Sequence, residues 1–314
     1  MPVFQIQHIT KYKYDRPVRE SANQIKIFSF NKPGQEILSH EIVISEEPSV
    51  NKFNDYWGNT VGFFTVPQAH EELIIDSRLI AKTSPICLEE QLSTHKDWDL
   101  LKEETFSSIL LPDLARMEKI RSQEKIQLIL DHISIDNCSP LEAAMRYSRF
   151  IFEQFKYVKG ITNVETTIDE ILEFRSGVCQ DFAHVLLQLL RTVGIPSRYV
   201  SGYICPNKNG MRGEGATHAW VDAYIPNMGW IGIDPTNNCF AHEHHIQLAV
   251  GRDFSDCTPV KGTFKGPANH ELMVYVSVGY EDGTIFEDEN EVTMLKETST
   301  EVAIPKVHMQ SQQQ

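Results

Sequence analysis

The chain has 314 residues, enough for two domains that each bury a core, and its 41% apolar and 23% charged content is that of an ordinary globular protein. A formal net charge of −14 argues against a nucleic-acid-binding surface and against attraction to an anionic membrane, so neither partner is expected. No stretch approaches the roughly 20 apolar residues of a membrane span, the start "MPVFQIQHITKYKYDRP" holds no apolar run of signal-peptide length, and the six cysteines are scattered without a C-x-x-C pair, so a reducing cytoplasm is the expected compartment.

Residues 1–84 read as a β-rich N-terminal domain. The stretches "FQIQHITKYKY", "NQIKIFSF", "HEIVISEEP", "DYWGNTVGFFTV" and "ELIIDSRLIAKT" are short, alternating and rich in β-branched and aromatic residues, with Lys32-Pro33-Gly34 and Gly58-Asn59 as turns. That spacing suggests a small antiparallel sandwich. Over 85–138 the character becomes helical, a connecting segment in which charged and apolar residues mix without strict alternation. A second domain is expected over 139–281. Its start, Ser139-Pro140-Leu141-Glu142, combines a capping box with proline at the first helical position, and Leu141, Ala144, Met145, Ile151, Phe152 and Phe155 continue at helical spacing. Thr167 to Glu170 forms a second capping box that opens a short helix through Phe174.

The stretch "RSGVCQDFAHVLLQLLRTVGIP" follows. Phe182, Val185, Leu186, Leu189, Leu190 and Val193 lie along one helical face, Gly194 supplies a left-handed end, and Pro196 forbids resumption of the helix. The helix therefore starts at about Gly177 to Cys179. Unpaired backbone N–H groups and the positive end of the helix dipole would favour negative charge on the Cys179 sulfur and could hold an oxyanion beside it. After this helix, "SRYVSGYIC", "THAWVDAYI", "GWIGIDPT" and "HELMVYVSVGY" read as strands, so helices precede antiparallel strands in an α+β arrangement. Over 282–314, Asp282-Gly283 reads as a hairpin turn and the end "HMQSQQQ" as a mobile tail.

A cysteine nucleophile needs a base to take its proton and a third group to orient that base. In "THAWVDAYI", His218, Trp220, Asp222 and Tyr224 share one strand face. The turn "PNMG" returns the chain antiparallel, and a register with Ile225 opposite Gly229 places Asp234 on the same face as His218, at diagonal distance. A slip of one residue would separate them.

The blocks "RSGVCQDFAHVLLQLLRTVGIPSRYVSGY", "THAWVDAYIPNMGWIGIDPTN" and "HIQLAVGRDFSDCTPVKG" together resemble the core of the bacterial transglutaminase-like, papain-like cysteine enzymes, over roughly residues 140–265. Residues 1–84, with "YKYDRPV" and "DYWGNTVGFF", resemble the β-rich domain that precedes this core in bacteria. The resemblance implies a papain-like core behind a small β-sandwich, with Cys179 as nucleophile, His218 as base and Asp234 as the orienting residue. It implies thiol-dependent acyl transfer on a peptide or protein amide through a thioester. Hydrolysis is favoured over crosslinking because the residues beyond the core offer only a β-rich domain, with Trp220 and Trp230 thin evidence for a water-excluding amine tunnel. A true transglutaminase and a non-catalytic binding protein on the same fold are the alternatives. Calcium serves the animal transglutaminases, but no D-x-[DN]-x-[DN]-G loop is present and the acidic "EDENE" run reads as a solvated turn, so no cofactor and no metal are expected.

Other residues take structural readings. His184 reads as a core or interface residue, His242, His244 and His245 as part of an exposed loop, and Asp181 as a partner of the helix dipole. Arg175 reads equally as an electrostatic polariser of the site or as half of a surface salt bridge. The sequence carries no signal of oligomeric state.

Overall fold

The computed structural model describes residues 1–85, 93–162, 166–205, 210–213, 217–280, 285–286 and 296–297. Cys87, the turn at Asp282-Gly283, the "EDENE" run and the C-terminal tail lie outside these residues. The first part of the chain supplies β1 (Val3–Ile25), β2 (Gln35–Ile44), β3 (Asn51–Asn54), β4 (Thr60–Val66) and β5 (His70–Thr83). Helices α1 (Asp97–Ser107), α2 (Leu111–Ala115), α3 (Gln123–His132) and α4 (Pro140–Gln154) follow, then β6 (Lys156–Tyr157), α5 (Ile168–Phe174), β7 (Ser176–Gly177) and α6 (Cys179–Thr192). The remainder forms β8 (Ser197–Ile204), β9 (Thr217–Ile225), β10 (Gly229–Asp234), β11 (Cys239–Phe240), β12 (His245–Gly251), α7 (Phe254–Cys257), β13 (Val260–Lys265) and β14 (His270–Tyr280). Two-residue strands β15 (Ile285–Phe286) and β16 (Lys296–Glu297) pair with β14.

Strand β1 organises the β-rich part. Its first half alternates buried Phe4, Ile6, His8 and Thr10 with more exposed neighbours and lies between β5 and β14, paired from Phe4↔Tyr280 to Tyr14↔His270 on the β14 side. Its second half, Ser21–Ile25, pairs with β4 and β13 instead. The ladders break between Lys13 and Val18 and between Arg19 and Ala22, where Glu20 takes a positive φ of 48°. Such interruptions bend a strand without reversing it. The segment "FQIQHITKYKY" and the start of "NQIKIFSF", read separately from sequence, therefore belong to one strand that serves two layers. Tyr14, Val18, Ile25, Phe64, Leu73, Ile75 and Val260 fill the space between those layers.

The helical part packs on one face of the sheet ordered β11-β10-β9-β8-β12. Both capping boxes form: Ser139 N donates to Glu142 Oε2 (2.8 Å) while Glu142 N donates to Ser139 Oγ (3.2 Å), and Thr167 and Glu170 repeat the exchange. On α6, Phe182, Val185, Leu186, Leu189 and Leu190 bury themselves against Ala219, Val221, Ala223 and Ile225 of β9. Gly194 ends the helix at a φ of 86°.

The β-rich part is fastened to this sheet. Phe4, Ile6, Leu79 and Ala81 pack on Tyr203, Ile246 and Leu248. Gln247 N donates to Gln35 Oε1 (2.8 Å) and Gln35 Nε2 donates back to Gln247 O (3.0 Å); Asn59 and Val250 make a second reciprocal pair at 2.7 and 2.8 Å. Side-chain amides thus satisfy backbone groups of the sheet's β12.

Candidate active site

Cys179 is the first residue of α6 and is half-buried, so its own backbone N–H has no acceptor within the helix. The helix start is fixed by Asp181, whose Oδ2 accepts from Val178 N (2.7 Å) and from Thr162 Oγ1 (2.6 Å). A methyl group on Gly177 would lie 2.4 Å from that Oδ2, so glycine is required for the carboxylate to fold back. Burial pushes the Asp181 carboxyl above its ordinary pKa. Burial also pushes the thiols of Cys205, Cys239 and Cys257 upward, which keeps them protonated and unreactive.

The turn between β9 and β10 sets the register. Met228 N donates to Ile225 O (3.1 Å), Asn227 and Gly229 take positive φ, and Gly229 pairs with Ile225. That register brings His218 Nε2 to 2.8 Å from Asp234 Oδ2, with both side chains fully buried. Asp234 is held from several sides: Asn237 Nδ2 (2.8 Å) and His245 Nε2 (3.2 Å) also meet Oδ2, and Thr236 N (2.8 Å) and Asn237 N (3.3 Å) donate to Oδ1. Burial alone would raise its pKa, yet His218 and these donors hold it well below the usual carboxylate range.

The other ring nitrogen of His218, Nδ1, is buried and outside hydrogen-bonding geometry among the described residues, and Cys179 is close enough to bear on the ring's charge. Burial disfavours the imidazolium, but Asp234 and the Cys179 sulfur outweigh it and push the pKa up to about 10. A doubly protonated ring at neutral pH is the form that stabilises an adjacent anionic sulfur. Above the ring sits Gly213, at a φ of 83°, where a methyl group would fall 3.2 Å from His218 Nδ1 and 3.5 Å from Tyr157 Oη. The Arg212–Asn237 pair, with Arg212 N donating to Asn237 Oδ1 (2.8 Å), ties this segment to the residue that also holds Asp234.

Trp220 underlies the imidazole. Its ring is 1% exposed, lies nearly parallel to His218 (centroids 6.4 Å, 29°) and meets His245 edge-on (5.2 Å, 80°). His245, which the sequence suggests lies in an exposed loop, is buried and opens β12. The connection from β11 crosses to the opposite edge of the sheet and carries it to Asp234, a contact that no local periodicity encodes. The available signal was its place at the head of the uninterrupted buried run "HIQLAVG". Asn237 and Tyr157 were likewise missed. Arg175 is exposed and serves as the left-handed cap of α5 (φ 46°), and His184 accepts from Phe254 N (3.3 Å) beside Tyr199, as a core residue does.

His218, Asp234 and His245 present ligand atoms within 4.8 Å of one another, close enough to hold a cation. All three atoms are already joined through Asp234 Oδ2, so a cation would have to displace the His218–Asp234 contact.

With this geometry in hand, residues 132–235 match the Transglutaminase-like superfamily and residues 4–82 the Bacterial transglutaminase-like N-terminal region. An uncharacterized protein of Mycobacterium leprae is 30% identical over 281 residues, covering 87% of this chain and 97% of that one. The chain belongs to the transglutaminase-like superfamily. This membership supports thiol-dependent acyl transfer as its general chemistry. A protein-glutamine gamma-glutamyltransferase of Pseudomonas aeruginosa is 35% identical over 95 residues, 28% of this chain and 14% of that one. The crystal structure of a putative cysteine protease from Cytophaga hutchinsonii shares the fold, with a TM-score of 0.70 over 94% of this chain and 97% of that one at 19% identity. Among the described residues no helix is long and apolar enough to cross a membrane.

Proposed function

We propose that the protein is a cysteine hydrolase that cleaves an amide bond of a peptide or protein, with Cys179 as nucleophile, His218 as acid–base and Asp234 as the residue that orients the imidazole. The observation that carries this reading is the buried His218, bound to Asp234 through Nε2, with the Cys179 sulfur acting on its ring. The sulfur attacks the carbonyl carbon, His218 protonates the departing amine, and the N–H groups at the start of α6 stabilise the oxyanion. Water, deprotonated by His218, then releases the acid from the thioester. No step requires a metal or cofactor. The free thiols of the described cysteines support a reducing, cytoplasmic compartment.

Transfer to an amine is the second reading, favoured by the 95-residue similarity to the Pseudomonas gamma-glutamyltransferase. It requires the thioester to be shielded from water. Trp220 is wedged between His218 and His245, and Trp230 carries the Arg198 guanidinium 4.4 Å from its ring, so both indoles are engaged elsewhere than in an amine channel. Peptide and amide libraries screened by mass spectrometry for an adduct on Cys179 test the first claim. No adduct from any amide, in a folded chain, would remove it. Partitioning of the trapped thioester between water and added primary amine then decides the acceptor: acid as the main product supports hydrolysis, and amide at millimolar amine supports transfer.

A further inference from the structure

A cavity of about 690 Å³ lies between the β-rich part and the face of the core sheet that carries Trp220. That volume is in the range of small-molecule sites. Its walls include Trp57, Trp220 and Trp230, three of the protein's four tryptophans, and its charged groups are Lys32, Arg198 and Asp222. Arg198 Nε and Nη2 both donate to Asp222 Oδ2 (3.0 and 2.8 Å), which neutralises that pair. The guanidinium also stacks on Trp230, fixing the ring. Lys32 is different. Its ammonium donates to Gln247 Oε1 and forms no ion pair among the described residues, although it is only half exposed. Burial depresses its pKa, with Asp222 offsetting and Arg198 adding to that shift.

Lys32 is held in place. Lys32 and Gln35 exchange backbone hydrogen bonds at 2.9 and 3.0 Å, and Gln35 is locked to Gln247 of β12. The cavity therefore sets the partly exposed indoles of Trp57 and Trp230 beside one preorganised cation that has no ion-pair partner among the described residues, in a chain whose net charge is −14. We propose that this cavity binds a small aromatic monocarboxylate, its ring against the indoles and its carboxylate on Lys32. A single positive charge fits one carboxylate better than a phosphate dianion. The cavity shares Trp220 with the support of His218, but the binding proposed needs no chemistry at Cys179.

The test uses the full-length chain and its Cys179→Ala variant, so that the result stands whether or not the chain hydrolyses amides. Tryptophan emission is followed while 3-phenylpropanoate, or the neutral 3-phenylpropanamide, is titrated in. The carboxylate is expected to bind about tenfold tighter than the amide, close to 1.4 kcal/mol. Lys32→Met should erase that preference and leave amide binding unchanged, and Trp230→Leu should weaken both ligands. Lys32→Gln, with circular dichroism on each variant, covers the case in which Lys32→Met fails to fold. Equal affinity for acid and amide, a preference that survives loss of Lys32, or no change in emission would each overturn the proposal. Tighter binding of glycyl-glycyl-phenylalanine than of the free acid would overturn the small-molecule assignment in favour of a peptide carboxyl terminus.

Discussion

His245 Nε2 lies 3.2 Å from Asp234 Oδ2, and the direction of that bond is set from the far side of the ring. The backbone N–H of His242 donates to His245 Nδ1 (3.2 Å), so Nδ1 holds the lone pair and Nε2 the proton. Burial keeps this imidazole neutral by lowering its pKa. Asp234 thus receives N–H groups from two histidines, one on the side of Cys179 and one behind.

Removing the rear donor should therefore be felt at the front. In His245→Leu the carboxylate loses one partner and its charge bears more heavily on His218, so the His218 pKa should move above its present value of about 10. Folding stability should fall by about 1.5–3 kcal/mol, the range for a hydrogen bond to a charged group. His245→Gln, which keeps an N–H donor, should recover part of both. Ring resonances of His218 across pH and chemical denaturation report the two quantities. A variant that loses stability while leaving the His218 titration in place would make His245 a packing residue only.

Cys179, His218 and Asp234 should behave as one unit in any thioester-forming reaction. Cys179→Ala should abolish it, and His218→Ala should reduce it by about 10²–10⁴, the usual worth of a positioned acid–base. Asp234→Ala should leave more activity than His218→Ala, and the double variant should be scarcely worse than His218→Ala alone. Losses that multiply instead would show that the histidine and aspartate act separately. Circular dichroism must match across the set.

Stability should respond to pH on both sides of neutrality. Burial lowers His8 and His184 from 6.5 to about 4, so the unfolded chain takes up protons first and stability is lost as pH falls from 6.5 toward 4. Each site is worth roughly 3 kcal/mol by pH 4. His218 has the opposite sign. Its raised pKa gives a contribution that is complete below 6.5 and disappears as pH rises through about 10. Denaturant midpoints measured from pH 4 to 10 should fall at both ends, and His184→Gln should flatten the acid limb. A stability flat between pH 6.5 and 4 would contradict the assignment of these histidines as buried and neutral.

Gly202 pairs with His218 across β8 and β9, and a methyl group there would lie 2.1 Å from Ile246 O and 2.6 Å from the Trp220 ring. Gly202→Ala must therefore displace β12 or the indole that supports His218. The expected cost is about 3 kcal/mol, the upper part of the overpacking range. A shift in Trp220 emission should accompany it. Native stability with unchanged emission would mean that β12 yields freely.

The features legible in the sequence were those in which neighbours along the chain determine the outcome. Ser139–Glu142 and Thr167–Glu170 cap their helices because donor and acceptor are three residues apart. The Ile225–Gly229 register followed from a short turn, and it carried the His218–Asp234 contact with it. His245 reaches Asp234 only because the chain crosses the sheet after β11, and Lys32 meets Gln247 only because two sheets dock. The path of β1 was illegible for the same reason: its partners Tyr280 and His270 lie at the other end of the described chain.

That path of β1 bears on how the chain is made. The strand is synthesised well before β14, yet residues 270–280 of β14 cover one edge of its leading half. Until β14 is made, Phe4 to Tyr14 can pair only with β5, leaving a long row of backbone donors and acceptors open to any other nascent strand. Closure of this sheet therefore waits for β14 and is slow by topology. A cell that produces the protein well must guard that edge in the interval, and overexpression that outruns the guard should yield aggregates seeded at residues 4–14.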